Sequence, residues 1–375
     1  MRLLDATDDD IATVTRQLGP LRAALDREPD IIVRFADRVT LKPLTYVGLG
    51  ETGYNEDGFF ILKSKGGAPA RTLLRFDSID ECAELVCEHS SPAIPHLLTL
   101  INLVALAKGV LPLHASAYTL GGGSVLVTGW SKGGKTESLL AAMSNGAHYV
   151  GDEWVYLTPD ARMFGIPEPI RLWDWQLRQL PELLGSRGVG TRLRLASWRS
   201  ISGLATAAAS SPLPVAGAAR RGAPVLARQA YVQIPPAELF GRDRIDPEAD
   251  LDAVVLLSSH ESERIVVELA GEHEVSGRMA ASLSAERAGF MSDYNQFRYA
   301  FPGSRSELVD DAANVESTLL RRLFDGRPAA KVGHAYPCQI SELGQAVLEA
   351  VDGVRRTPSS AARHAVRPET VVTWR

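Results

Sequence analysis

The chain has 375 residues, 45% of them hydrophobic and 23% charged, with a formal net charge of −5 and three cysteines. That length and apolar fraction suffice for one large core or two modest ones, which excludes a wholly disordered, collagen-like or coiled-coil chain. The mildly acidic balance leaves no electrostatic footprint for nucleic acid. Cys82, Cys87 and Cys338 form neither an even set nor a CxxC pair, which argues against a disulfide framework or a zinc site and for a reducing, cytoplasmic setting.

The first 19 residues, MRLLDATDDDIATVTRQLG, place three consecutive acids where an export signal needs an apolar run. Ile11, Val14, Leu18, Leu21 and Leu25 then recur at helical intervals, predicting a helix over residues 8–27. Short β-like runs follow at 31–35, 59–62 and 72–76, with turn residues between them. Ser78 is placed to cap a helix over 79–88, and a longer helix is predicted over 94–108. The apolar stretch 93–113 contains His96, Asn102, Lys108 and Pro112, so it reads as a buried helix followed by a strand, with no membrane span. Residues 1–90 thus form a small α+β accessory region.

From Leu113 the runs HASAYTL and SVLVTG, joined by Gly121-Gly122-Gly123, predict a hairpin. A helix over 135–145 and a strand over 148–150 follow, the layout of an α/β nucleotide-binding unit. Residues 186–228 hold seven Arg and no acid around an Ala/Ser/Pro/Gly-rich centre, the pattern of a basic flexible insertion. Beyond it, strands are expected at 230–234, 253–257 and 265–269, and helices at 279–299, 307–324 and 341–351. Residues 353–375, with five Arg and one Glu, read as a basic tail.

The basic residues comprise 33 Arg and 7 Lys, and two of those lysines lie in one eight-residue loop. Gly129-Trp130-Ser131-Lys132-Gly133-Gly134-Lys135-Thr136 fits G-x4-G-K-[ST] between an apolar strand and a helix. Backbone N–H groups and the helix dipole can there converge on phosphate oxygens. Lys135 is suited to bridge the β- and γ-phosphates of ATP, and the Thr136 hydroxyl to ligate Mg²⁺. Seventeen and eighteen positions after Lys135 stand Asp152 and Glu153, at the end of a strand running parallel to the loop strand. Adjacent acids can divide metal holding and proton acceptance, and the residues alone leave open which does which. His114, on the first hairpin strand, is open to two readings, a core histidine or a catalytic one.

Between Leu113 and Leu157 the sequence resembles HPr kinase/phosphorylase and its relatives, P-loop kinases linked in fold to phosphoenolpyruvate carboxykinase. The strand histidine His114, the loop continued by Glu137, the helix ending at Asn145-Gly146-Ala147-His148 and the acidic pair Asp152-Glu153 follow the family pattern without insertion. The resemblance implies an α/β kinase core over 91–352. It implies contacts to ATP from Gly129 to Glu137, help from His114 near the γ-phosphate, and a base within the acidic pair. Glu153 stands where the typical member has Asp. A further metal-binding Glu of the family corresponds loosely to Glu168. The Arg-rich substrate motif is only echoed between Pro214-Val215 and Arg220-Arg221, which argues against HPr itself as substrate and against phosphorylase activity.

The expected activity is therefore an ATP- and Mg²⁺-dependent transfer of the γ-phosphate to a hydroxyl, foremost a Ser or Thr of a peptide or protein. A ribosomal precursor peptide of the lasso type is the example the resemblance offers. A small-molecule hydroxyl kinase and a non-catalytic ATP-binding switch are the alternatives. Neither nucleic acid nor membrane is an expected partner, and a homo-oligomer is compatible with the family.

Overall fold

A computed structural model describes residues 1–356 apart from 21–25, 41, 49, 51, 63–70, 77, 181–230, 263 and 328. The expected basic insertion at 186–228 and the tail beyond Arg356 lie outside the described residues. The architecture is mixed α/β, built on two large sheets.

The N-terminal sheet comprises β1 (Arg2–Leu4), β2 (Ile31–Ala36), β3 (Thr45–Tyr46), β4 (Thr52–Asn55), β5 (Gly58–Ile61), β6 (Thr72–Arg75) and β7 (Ala83–Glu88), in the order β1-β2-β7-β6-β5-β4-β3. Two expectations fail here. Helix α1 (Asp8–Leu18) opens with a Thr7–Asp10 capping box but stops well short of residue 27. Gly19, in the left-handed region at φ 83°, ends it, and Pro20 follows. The segment read as a helix over 79–88 is a turn followed by strand β7. Ala83, Leu85 and Cys87 point inward while Glu84, Val86 and Glu88 are half-buried, a period of two that the helical reading missed.

Helix α2 (Leu97–Ala107) then leads into a nine-stranded sheet. Its strands are β8 (Leu111–Leu120), β9 (Gly123–Gly129), β10 (His148–Gly151), β11 (Trp154–Leu157), β12 (Arg162–Gly165), β15 (Glu248–Asp250), β16 (Ala253–Ser259), β17 (Val266–Ala270) and β18 (Ala329–His334). The order is β15-β12-β11-β8-β9-β16-β18-β17, with β10 also paired to β8. A two-stranded ribbon, β13 (Ile170–Trp173) with β14 (Tyr231–Ile234), lies beside it. Strands β9, β16 and β18 are parallel. Strand β10 runs in the same direction as β9, but β8 lies between them, so the chain after the loop helix returns one strand away from the loop strand.

Helix α3 (Lys135–Ser144) follows β9; α4 (Asp174–Gln179) and α5 (Pro236–Phe240) are short. Helix α6 (Glu272–Ala300) is longer than the expected 279–299. The stretch 307–324 divides at Asp311 into α7 (Glu307–Asp310) and α8 (Ala312–Phe324), and α9 (Ile340–Arg356) passes the expected boundary at 352. Side chains from both large sheets, α2, α6 and α8 form one buried cluster, while α3, α9 and the ribbon close a second on the other face of the nine-stranded sheet. Among the described residues, no helix is long and apolar enough to cross a membrane.

Candidate functional site

The carboxyl ends of β9, β16 and β18 meet at one edge of the sheet, the place where parallel strands leave room for a ligand. Here the loop 129–134 joins β9 to α3, whose first-turn N–H groups have no partners within the helix. Gly134 caps the helix at φ 97°, and a Cβ there would come within 2.8 Å of His334 Nε2, so backbone freedom and close approach both require glycine. His334, fully buried at the end of β18, places Nε2 2.8 Å from the Gly133 carbonyl and Nδ1 2.7 Å from the Ala335 carbonyl. Lys135 folds back over the loop and donates from Nζ to the carbonyl of Trp130 at 3.0 Å.

The acidic pair stands across from this loop. Strand β10 shifts register on β8 by one residue between Tyr149 and Gly151, and Glu153 adopts φ 64°. That irregularity turns the two acids to different partners. Asp152, 3% exposed, accepts a hydrogen bond from the Thr136 hydroxyl at 3.0 Å. Glu153, closely surrounded but facing the cavity, places Oε2 3.1 Å from His114 Nε2. The other His114 nitrogen, Nδ1, lies 2.7 Å from Glu286 Oε1 on α6, an ion-pair contact without the alignment of a hydrogen bond. The sheet holds His114 in place, since its strand pairs with Trp154 directly opposite and the indole stacks on the imidazole at 5.8 Å.

The cavity enclosed by these groups has a volume of about 250 Å³. It contains His114, Lys135, Thr136, Glu137, Asp152, Glu153 and the loop residues Ser131 to Gly134. Gly129 and Trp130 flank it as the start of the same loop. Glu168 is not in its lining. Its Oε1 is buried and unpartnered, and burial together with the charges of Glu153 and Asp152 raises its pKa to about 9. Residues that the sequence did not single out also line the cavity: Arg171, Trp173, Gln176, Glu286 and Tyr336. Gln176 donates to Glu137 Oε1 at 2.7 Å, and its Oε1 accepts from the Trp173 N–H at 2.7 Å, which fixes the first turn of α3 against the ribbon. None of these carries a local signal, because they reach the site from segments far along the chain.

Electrostatically the site is crowded with carboxylates. Burial and the neighbouring charge of Glu153 raise the pKa of Asp152, against the Thr136 hydrogen bond and Lys135. Burial pushes Glu153 up as well, yet the hydrogen bond and charge of His114, with Lys135, outweigh it and hold Glu153 below the usual carboxylate range. His114 is likewise opposed by burial, but Glu153 and Glu286 keep its imidazole above its ordinary value. Burial lowers Lys135 against the pull of Glu153, Asp152, Glu286 and Glu137. Among the described residues no three acids, histidines or cysteines are grouped closely enough to hold a metal ion by themselves. The Thr136–Asp152 pair offers a hydroxyl and one carboxylate, a donor set that suits Mg²⁺ when phosphate oxygens and waters complete it. The arrangement can therefore hold a polyphosphate at the loop and accept a proton at Glu153 in the same cavity.

No family model matches this chain, and no curated protein matches it.

Proposed function

We propose that this chain is an ATP- and Mg²⁺-dependent cytoplasmic kinase with a P-loop core of the HPr kinase and phosphoenolpyruvate carboxykinase type, acting on a Ser or Thr hydroxyl of a peptide or protein. The observation that carries this reading is the sharing of one cavity by Lys135, Thr136 and the hydrogen-bonded pair His114–Glu153. A loop that only binds nucleotide has no need of a histidine held between two carboxylates beside it. The sequence from Leu113 to Leu157 supports the same reading, and the acceptor class comes from that resemblance.

The residues then divide the work. The loop amides and Lys135, released from the Trp130 carbonyl, bind the β- and γ-phosphates. Thr136 and Asp152 would hold Mg²⁺, which would supply neutralising charge for the triphosphate. That neutralisation matters because the acids of the site would otherwise repel the triphosphate. As the acceptor oxygen bonds to Pγ, the bond from Pγ to the β,γ-bridging oxygen breaks, ADP leaves with the electron pair, and Glu153 takes the acceptor proton. His114, held also by Glu286, orients Glu153 and stabilises its charge. Arg171, on the rim, is placed to steady the phosphoryl oxygens or an acidic acceptor.

The test is turnover of labelled ATP into phosphorylated peptide. Lys135→Ala should lose essentially all transfer while keeping its circular dichroism spectrum. Glu153→Gln should lose about 10²- to 10⁴-fold in kcat, the usual worth of a positioned base. Asp152→Asn should chiefly raise the Mg²⁺ concentration needed. Near-normal kcat in Glu153→Gln would move the base to Asp152, and near-normal transfer in Lys135→Ala would refute the kinase reading.

A further inference from the structure

The loop has a cavity on each side of it. The first holds the acids and Lys135; the second, about 470 Å³, lies between the loop, the end of β16 and α6, and shares Ser131 and Gly133 with the first. Its chemistry is different. Leu257 and Met279 supply apolar walls, and Trp130 presents an indole that is 56% exposed. Ser258, Ser259 and Arg278 place hydroxyls and a guanidinium around them, and Arg278 is tied at 2.9 Å to Glu274 one helical turn earlier. Among the described residues no ring or cation–π contact covers the Trp130 indole, and a large exposed indole beside an open apolar cavity marks a place for a flat ligand.

The sheet topology says which ligand fits. The acid pair lies on the β8 side of the loop strand β9, and the second cavity lies on its β16 side. A nucleoside triphosphate laid across the carboxyl end of β9 with its γ-phosphate at the acids must put its base on the opposite side. We infer that the second cavity is the subsite for the purine base and ribose of the nucleotide, with Trp130 stacked on the base and the triphosphate threading the loop into the first cavity. This inference rests on the nucleotide reading of the loop. The Ser258 and Ser259 hydroxyls, able to donate and accept, and the donor-only Arg278 match the ring nitrogens of a purine and the hydroxyls of a ribose.

Calorimetric titration of the full chain in Mg²⁺ with ATP and with inorganic tripolyphosphate tests it. ATP should bind at least about tenfold more tightly than tripolyphosphate, because only ATP carries the stacked base. Trp130→Ala should remove about tenfold of the ATP affinity. Ala281→Phe, which fills the cavity from α6, should weaken ATP by a similar factor and leave tripolyphosphate within about twofold. Circular dichroism reports whether each variant is folded, and the two substitutions sit on separate elements. Equal affinity of the wild type for both ligands, or an Ala281→Phe protein that binds ATP normally, would overturn the base subsite while leaving the phosphate site standing. No binding of either ligand would overturn the nucleotide reading and the subsite together.

Discussion

His114 is where the reading of single residues changes most. In sequence it is a lone histidine in an apolar strand, and nothing nearby separates a core role from a catalytic one. In the fold its two nitrogens face Glu153 and Glu286, the latter 172 residues away on α6. Glu286→Gln should therefore remove one of the two charges that hold the His114 pKa up. The alkaline limb of the kcat profile should move to lower pH, and the His114 resonances in an NMR titration should follow. An unmoved profile would reduce Glu286 to a surface acid. Glu168 makes a prediction of opposite use. Its carboxyl stays protonated in the fold up to about pH 9, while in the unfolded chain it ionises near its ordinary value. Between those two values the unfolded state binds fewer protons, so this group lowers stability as pH rises. In chelator, Glu168→Gln should raise Tm by about 2–5 °C at pH 8 and by much less at pH 5. An equal shift at both pH values would show that Glu168 is not held neutral. The loop, the acidic pair and His114 were legible because they lie within 40 consecutive residues. Glu286, Arg171, Tyr336 and His334 were not, because only tertiary packing brings them to the loop.

Among the elements, the hairpin β8–β9, the loop and α3 were readable from strong local chemistry: β-branched runs, a glycine turn and a strand-to-helix loop. Strand β7 was not. Ile79, Ala83 and Val86 fit a helical stripe as well as Ala83, Leu85 and Cys87 fit a strand, and the parallel pairing with β2 decides for the strand. The two periods put different residues in the core, which makes them testable. Leu85 is fully buried and Val86 is not. Leu85→Ala should cost about 2–5 kcal/mol in urea unfolding, whereas Val86→Thr should stay under about 1 kcal/mol. The reverse order would restore the helix. Helix α1 was over-extended for a related reason, since Leu21 and Leu25 continue the apolar spacing past a Gly-Pro stop that outweighs it.

In the molecule as a whole, the region before residue 90 does more than precede the core. Helix α6 runs between the two large sheets. Its C-terminal half sends Phe290, Tyr294 and Phe297 against Tyr54, Phe59 and Phe76 of the N-terminal sheet and its flanking turns. Its N-terminal half carries Arg278, Met279 and Glu286 to the two cavities beside the loop. The same helix thus couples the packing of the accessory sheet to the position of site residues. Phe297, wholly buried among these rings, should cost about 3–5 kcal/mol when changed to Ala, and unfolding should remain one transition by fluorescence and circular dichroism. Two separate transitions would mean that the sheets fold apart despite their common core.

The most direct measurement of the central claim is the fate of the γ-phosphate. The full chain is incubated with γ-labelled ATP, Mg²⁺ and a mixture of Ser- and Thr-containing peptides and proteins, and the product is hydrolysed in acid to locate the label. The wild type should place acid-stable label on serine or threonine, and Lys135→Ala should place none. Tight ATP binding by the wild type, with no label on any hydroxyl, would contradict the claim.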